Sequence, residues 1–306
     1  LQLFYKADRT QAPLGEEQIR NNSFDELGSD KIDNGNFETG ISGWNAVVSG
    51  NSTVTHNSLL KGIKLKKVGS GACKTSNSDE ATVQGETYKL TYRVLENNNC
   101  TAISVWNGTT YEGSTVLNVE ANGEDFVYYL NFTGGNAKNL YLQNNTADSD
   151  ITLSNIKLEK VDPNDNWELN DGWGIEEGKA ICDGTQTGNT GLKQLLSSAN
   201  LVSGRTYKLS YTISNYVNGV LNPHIRGNNI GTVSGNGDKV AYIVAGSSTS
   251  YAVNFYAGSS FNAEISNVSV KEITNSIKDH SRNSNDGILY SGKALEFDTD
   301  DGSNDF

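Results

Sequence analysis

The sequence predicts an all-β protein built from two tandem β-sandwiches. In residues 88–94, apolar and polar residues alternate with a period of two, which is typical of a strand with one buried face. The 306 residues include 32 glycines and many Asn, Ser and Thr, a composition that fits short strands joined by polar turns. Segments with a helical period are nearly absent, so we expect little or no helix.

An internal repeat divides the chain into two copies of one module. Residues 84–94 recur as residues 203–213 at an offset of 119, and residues 154–160 recur as 266–272 at an offset of 112. The pairs Gly43-Trp44 and Gly172-Trp173 give a third match in the same order. Three ordered matches indicate a duplication.

The repeat sets the expected domain boundaries. We predict an N-terminal extension or linker (1–31), a first module (32–161), a linker (162–166), a second module (167–274) and the beginning of a third domain or a C-terminal extension (275–306). Residues 19–25 resemble residues 32–38 at an offset of 13, and we interpret them as the relic of a module opening that does not continue.

Charge and hydropathy exclude two classes of partner. The chain has 24 Lys and Arg against 36 Asp and Glu, a net charge of −12, which repels the phosphates of nucleic acid. No apolar run approaches the roughly 18 to 20 residues that cross a bilayer. We therefore expect neither nucleic acid nor a membrane span.

No pattern of catalytic residues stands out, so we predict a non-enzymatic protein without a cofactor. His56, His224 and His280 lie far apart and lack metal-ligand spacing, and neither a nucleophile elbow nor a P-loop is present. Among the three cysteines, Cys73 and Cys100 either form a disulfide or remain buried thiols, and Cys182 stands alone.

Two groups of motifs resemble known families. The segment from Asn34 to Glu38 and the Gly-Trp pair after it resemble the opening of jelly-roll carbohydrate-binding modules of the galactose-binding-like type, as do the Gly-x-Thr-Tyr-Lys-Leu and Ser-Asn-Ile/Val strands. This resemblance covers residues 32–273 and implies jelly-roll sandwiches. Residues 278–298 resemble the opening of a truncated laminin-G/concanavalin-like lectin domain, and together with residues 11–15 they are similar to bacteriophage tail-fibre and other virion-associated proteins. The resemblance implies an extracellular or virion-surface location and a homo-oligomer or larger fibre.

The first resemblance also implies a candidate structural calcium site. Such modules often bind calcium between an early Glu and an Asp on the final strand. Here Glu38 is present, but Asn155 and Asn267 occupy the final-strand positions, and a neutral amide oxygen stabilises calcium less than a carboxylate does. Glu38 and Asn155 are the candidate ligands.

Outward aromatic residues are the candidates for sugar binding, because a pyranose stacks its C–H face on a ring. In the first module the candidates are Trp106, Tyr111, Tyr129 and Tyr141. The outward Trp106, Tyr129 and Tyr141 could form a stacking platform; alternatively they cap the sheet edge or fill an interface with a neighbouring domain or subunit. In the second module the candidates are Tyr216, His224, Arg226 and Tyr256.

Three functions remain open at this point. The first is multivalent recognition of a host-surface polysaccharide or glycan by a segment of a virion appendage or secreted surface protein. The second is a purely architectural subunit of a fibre or filament that uses its aromatic faces for self-assembly. The third is an accessory region of a glycoside hydrolase whose catalytic domain lies outside this chain.

Overall fold

The computed structural model describes residues 14–77, 82–106, 111–131 and 139–273, and three short strands beyond them. Residues 111–116 and the three last strands are described for their backbone alone. In chain order the first strands are β1 (Leu14–Glu17), β2 (Leu27–Asp30), β3 (Trp44–Val48), β4 (Thr53–Asn57), β5 (Gly62–Lys67), β6 (Cys73–Asn77), β7 (Thr87–Asn98), β8 (Ile103–Trp106), β9 (Tyr111–Leu117), β10 (Asp125–Asn131), β11 (Tyr141–Asn144) and β12 (Ser149–Val161). They are followed by β13 (Trp167–Leu169), β14 (Trp173–Glu176), β15 (Lys179–Asp183), β16 (Thr190–Gln194), β17 (Thr206–Asn218), β18 (Leu221–Ile225), β19 (Asn228–Asn229), β20 (Gly237–Val244), β21 (Val253–Ala257), β22 (Asn262–Ile273), β23 (Ser276–Ile277), β24 (Gly287–Tyr290) and β25 (Ala294–Phe297).

The protein is all-β, as the sequence predicts, and one 3-10 turn, Leu196–Ser198, is the helical element of the described residues. No described helix is long and apolar enough to span a bilayer. Strands β23, β24 and β25 form a small antiparallel sheet. The rest of the expected third domain, including most of residues 278–298, lies outside the described residues.

The first module comprises Asp25–Asn164 and consists of two antiparallel sheets. One sheet has the order β10-β7-β12-β5-β4, with β2 also paired to β12, and the other has the order β3-β6-β11-β8-β9. In β7 the residues Tyr88, Leu90, Tyr92 and Val94 are each at most 2% exposed, and the residues between them are half-buried. The alternation seen in the sequence therefore places one face of the strand in the core.

The second module repeats this arrangement strand for strand. Its sheets have the orders β14-β15-β22-β17-β20, with β1 paired to β22, and β13-β16-β21-β18-β19. In β17 the residues Tyr207, Leu209, Tyr211 and Ile213 are at most 3% exposed and match the buried residues of β7 at the offset of 119. The two modules are copies of one jelly-roll sandwich.

The second module is assembled from two separated stretches of chain. Its compact unit contains the chain up to Phe24 and again from Asp165 onward. The first module, Asp25–Asn164, is therefore inserted in the sequence of the second. Strand β1 pairs with β22 just as β2 pairs with β12. The segment around Ile19 is therefore not a relic: it is the real opening of the second module. The boundary predicted for the extension, 1–31, is wrong for the same reason, because Leu14–Glu17 and Leu27–Asp30 are sheet strands.

A carboxylate fastens each opening segment to the last long strand. In the first module, Asp30 Oδ1 accepts hydrogen bonds from the backbone N–H groups of Ile32 and Leu158, both at 3.0 Å. In the second module, Glu17 Oε1 accepts from the N–H of Val270 at 2.8 Å and from that of Gln18 at 3.1 Å. Asp30 and Glu17 differ by the same offset of 13 that relates the two openings.

Each module also contains a phenylalanine–tryptophan pair. The ring centroids of Phe37 and Trp44 are 5.5 Å apart, and those of Phe24 and Trp167 are 5.0 Å apart. Trp44 on β3 pairs with β6, and Trp167 on β13 pairs with the corresponding β16. The counterpart of Trp44 is thus Trp167, and the match to Trp173 made from the sequence is wrong.

The Gly-Trp pairs mislead because they mark the same local turn at different places. The N–H of Trp44 donates to Ile41 O at 3.1 Å, and the N–H of Trp173 donates to Asn170 O at 3.0 Å. Gly43 and Gly172 have φ of 83° and 79°, a conformation that glycine adopts without steric cost. The turn leads into β3 in the first module and into β14 in the second.

The three cysteines are free and buried. Desolvation raises the pKa of Cys73 and of Cys182 to about 11. Cys100 Sγ lies 3.4 Å from Asn144 Oδ1, and burial raises its pKa too. Of the two alternatives for Cys73 and Cys100, the structure shows buried thiols, which are poor nucleophiles because their thiolate forms are disfavoured.

Candidate ligand-binding surface

The outer face of the β3-β6-β11-β8-β9 sheet in the first module carries the strongest candidate site. Strand β11 lies between β6 and β8, and Tyr141 is directly opposite Ser76 on one side and Trp106 on the other. The neighbouring residues Leu142 and Val105 are each 1% exposed and belong to the core. Because successive side chains point to opposite faces of a strand, Tyr141 and Trp106 point outward.

Trp106, Tyr141 and Lys74 form one cluster on this face, which we call the aromatic platform. The ring centroids of Trp106 and Tyr141 are 4.9 Å apart with an interplanar angle of 39°. Lys74 Nζ lies over both rings, 4.6 Å from the Trp106 centroid and 5.5 Å from that of Tyr141. These distances are those of a cation–π interaction.

Amide and hydroxyl groups border the platform in the next row of the sheet. Gln143 is opposite Lys74 on β6 and opposite Ser104 on β8. Gln143 Nε2 donates to Asn145 Oδ1 at 2.8 Å, and Asn145 Nδ2 donates to Ser104 Oγ. These bonds orient amide groups beside the rings, where they can meet hydroxyl groups of a ligand.

Tyr129 and Tyr111 complete the set predicted for the first module. Tyr129 lies on β10 of the opposite sheet, across from Lys89, so it cannot belong to one platform with Trp106 and Tyr141. The alternation shows which face of its strand Tyr129 occupies but not which sheet the strand joins. Tyr111 lies on β9 in register with Trp106, and its side chain is outside the described part of the structure.

The four candidates of the second module do not form one cluster. His224 and Tyr256 lie on the sheet that corresponds to the platform sheet, with ring centroids 6.1 Å apart in an edge-on arrangement. Tyr216 belongs to β17 of the other sheet, donates its hydroxyl hydrogen to Gly219 O at 2.9 Å and lies beside Phe261. Arg226 Nη1 donates to Leu201 O at 2.7 Å, which holds this guanidinium against the backbone.

Lys74 belongs to the platform although no motif in the sequence marks it as a site residue. It lies between the buried Cys73 and Thr75, so the alternation within β6 already places it outward. The sequence contains no signal that β6 and β8 both pair with β11. Without that pairing, a lysine 32 residues before Trp106 could not be assigned to the same site.

The two calcium candidates have other partners. Lys61 Nζ donates to Glu38 O at 3.1 Å and lies 3.9 Å from Glu38 Oε2. Asn155 has φ of 51° at an irregularity of β12, and its Nδ2 donates to Asp125 Oδ1 at 3.4 Å. Within the described residues, no group of three or more His, Cys, Asp or Glu is arranged to hold a metal ion. A calcium site at Glu38 and Asn155 stays a prediction.

Comparisons with known proteins find similarity among solved structures. No protein-family profile matches the sequence, and no curated protein matches it at a significant level. The chain is similar to the CBM22-1–CBM22-2 tandem domain of Xyn10C from Paenibacillus barcinonensis, with 13% identity, a TM-score of 0.29 and coverage of 81% of this chain and 98% of that one. It is also similar to a mutant of CBM29-2, a family 29 carbohydrate-binding module, with 13% identity, a TM-score of 0.29 and coverage of 44% and 93%.

An allantoicase is a third similar structure, with 9% identity, a TM-score of 0.22 and coverage of 82% of this chain and 92% of that one. TM-scores below 0.5 carry no argument about this chain's function. The chain is similar to tandem carbohydrate-binding modules in solved structures, and its own outward side chains have to support any assignment of function.

Proposed function

We propose that the first module binds a saccharide on the aromatic platform and that the chain is a non-enzymatic, glycan-recognising segment of an extracellular or virion-surface protein. One observation carries the proposal: two outward rings, Trp106 and Tyr141, lie 4.9 Å apart on a sheet face beside oriented amides. A pyranose needs this combination, because its C–H face stacks on a ring and its hydroxyl groups bond at the edge.

The extracellular or virion-surface location is proposed from the sequence motifs and not from the platform. Resemblance of the two chain ends to tail-fibre and virion-associated proteins supports a surface appendage, where many weak sites act together. Linked sites raise the overall avidity without any new contact. A single platform with modest affinity would serve this purpose once the chain is repeated along a homo-oligomer or fibre.

Affinity electrophoresis through gels that contain host polysaccharides tests the proposal. We expect the migration of the wild-type chain to be retarded by at least one polysaccharide and Trp106→Ala to migrate freely. Tyr129→Ala is the matched control, since it removes an outward ring from the opposite sheet. Equal retardation of wild type and Trp106→Ala, with both folded by circular dichroism, would contradict the proposal.

An architectural role is the second candidate, favoured by one exposed apolar stripe. Strand β20 is the last strand of its sheet, and Val240, Tyr242 and Val244 on its outer side are 55%, 58% and 49% exposed. Edge strands of this kind pair readily with another chain. Sedimentation velocity of wild type and Tyr242→Lys, with Val217→Lys as control, distinguishes the two roles: self-association that only Tyr242→Lys abolishes would favour the architectural one.

A further inference from the structure

The position of Lys74 indicates which saccharides the platform accepts. Its ammonium group lies directly over the Trp106 ring, where a stacked sugar would also lie. A neutral sugar has to displace this ammonium and offers it no charge in return. A carboxylate on the sugar would instead give the ammonium a charge-assisted hydrogen bond, which is stronger than its contact with the face of a ring.

The charges around Lys74 favour an anion as well. The two described outward rows of this sheet contain no acidic residue; they consist of Asn45, Ser76, Tyr141 and Trp106 in one row and Val47, Lys74, Gln143 and Ser104 in the other. Lys67 Nζ donates to Asn145 O at 3.1 Å, which brings a second ammonium to the border of the platform. The described part of this face therefore carries positive charge on a chain with a net charge of −12.

Lys74 also differs from lysines that serve the structure. Lys64, Lys160 and Lys179 each lie within 3.0 Å of a carboxylate oxygen. In the second module, Lys193 on the corresponding strand is 3.0 Å from Glu168 Oε1. Within the described residues, Lys74 has no carboxylate at ion-pair distance. Its ammonium is thus available to a carboxylate supplied by a ligand.

From these observations we propose that the aromatic platform selects acidic saccharides with carboxylated pyranose units, that is, uronic acids. This inference rests on the proposed saccharide site and specifies its ligand class. Trp106 and Tyr141 stack against the sugar ring, and Lys74 Nζ moves from the ring faces to the carboxylate. Gln143 and Ser104 lie in the same row as Lys74 and meet the adjoining hydroxyl groups.

The test compares uronic acid polysaccharides with their carboxyl-reduced forms, which keep the same linkages but lose the charge. Galacturonan, glucuronan and mannuronan, each in both forms, are immobilised, and binding of the full chain is measured by surface plasmon resonance. We expect at least one acidic form to bind about tenfold more tightly than its reduced form, and that preference to weaken with added salt because ion pairs are screened.

Lys74→Gln should reduce affinity for the acidic form about tenfold and leave affinity for the reduced form unchanged or higher, because the ring faces become free. Lys89→Gln, on the outer face of the opposite sheet, is the matched control and should behave like wild type. Tighter wild-type binding to a reduced form through Trp106, or acid binding that Lys74→Gln does not affect, would overturn this inference and leave the saccharide site standing. Binding to neither form, with Trp106→Ala equal to wild type, would overturn both proposals.

Discussion

The platform sheet of the first module and its counterpart in the second have the same strand order but different outward side chains. Matching strands by their pairing places His224 where the first module has Trp106, and Asn254 where it has Tyr141. Gly191 takes the position of Lys74, and a side chain there would meet Asn254 Oδ1, since a Cβ would lie 2.6 Å from it. The second module thus has neither a Trp–Tyr pair nor a lysine at the positions of Trp106, Tyr141 and Lys74. The fold supplies a flat outward sheet, and a few side chains decide whether it can hold a sugar.

The modules also differ in how the chain builds them, and this difference gives the largest predicted effect. A fragment of residues 25–164 contains a whole module and should unfold cooperatively. A fragment of residues 165–306 lacks Ile19 and Phe24, which are 5% and 1% exposed, and also lacks the strand β1. Loss of two buried side chains alone costs about 3 to 6 kcal/mol, much of the stability of a typical domain.

We therefore expect fragment 165–306 to show no cooperative urea transition by circular dichroism. Joining residues 14–24 to Asp165 through a short Gly-Ser linker should restore the transition. The Phe24 and Trp167 rings are 5.0 Å apart, so a short linker can connect these ends. A cooperative transition in fragment 165–306 without residues 14–24 would show that the opening segment is dispensable.

Removal of a carboxylate that fastens an opening segment should have the next largest effect. Asp30→Ala leaves the N–H groups of Ile32 and Leu158 without their acceptor, which we expect to cost about 1 to 3 kcal/mol of unfolding free energy. Urea denaturation of fragment 25–164 measures it, and the exposed Asp33→Ala is the control. Glu17→Ala should lower the unfolding free energy of the second module by the same amount. An effect in only one module would show that Asp30 and Glu17 do not have equivalent roles.

Substitution of the residue with positive φ in β12 or β22 should have a smaller effect on stability. Asn155 and Asn267, which occupy matching positions, have φ of 51° and 53°. Alanine costs about 1 kcal/mol more than glycine at such a position, because its Cβ approaches the following carbonyl. We expect Asn155→Ala to unfold about 1 kcal/mol more easily than Asn155→Gly, and the Asn267 pair to repeat this difference in urea denaturation of the full chain. Equal stability of the Ala and Gly variants would contradict the left-handed backbone conformation at these two positions.

Acid should produce the smallest effect, since the ion pairs involved are at most partly buried. Hydrogen bonds from Arg93 and Lys179 hold the pKa of Asp125 and of Glu264 below their ordinary values of 3.8 and 4.5. A carboxylate with a lowered folded-state pKa stabilises the fold above its ordinary pKa, and this contribution disappears as the pH falls through the folded pKa. Arg93→Gln should therefore lower the urea midpoint at pH 7 but not at pH 2. A difference that persists unchanged at pH 2 would assign it to packing rather than to charge.

Much of the fold follows from the sequence because its signals are local. The alternation of Tyr88, Leu90 and Tyr92 identifies a half-buried strand, and the two repeated segments identify the duplication. The insertion of one module within the other does not follow, since Phe24 contacts Trp167 at a sequence separation of 143 residues. An offset of 13 relates residues 19–25 to 32–38 but cannot show that the chain returns to complete the second copy.

In the candidate site, too, the features that depend on local sequence are predicted and those that depend on strand order are not. Trp106 and Tyr141 are predicted correctly as outward residues, because each alternates with buried neighbours in its own strand. Assignment of Tyr129 to their platform fails, and Lys74 is missed, because both depend on which strands become neighbours. Sheet order is a long-range property, and two strands with the same alternation cannot be ordered from the pattern alone.

The tryptophan side chains allow the most direct test of saccharide binding at the platform. Of the four tryptophans, Trp44, Trp167 and Trp173 are 5% to 6% exposed, and Trp106 is the one on the outer face of a sheet. The full chain labelled with 15N-tryptophan should give four indole resonances, and Trp106→Phe assigns the one of interest. Titration with an acidic polysaccharide fragment should shift the Trp106 resonance and leave the other three in place. Saturable binding that leaves the Trp106 resonance unmoved would contradict the account.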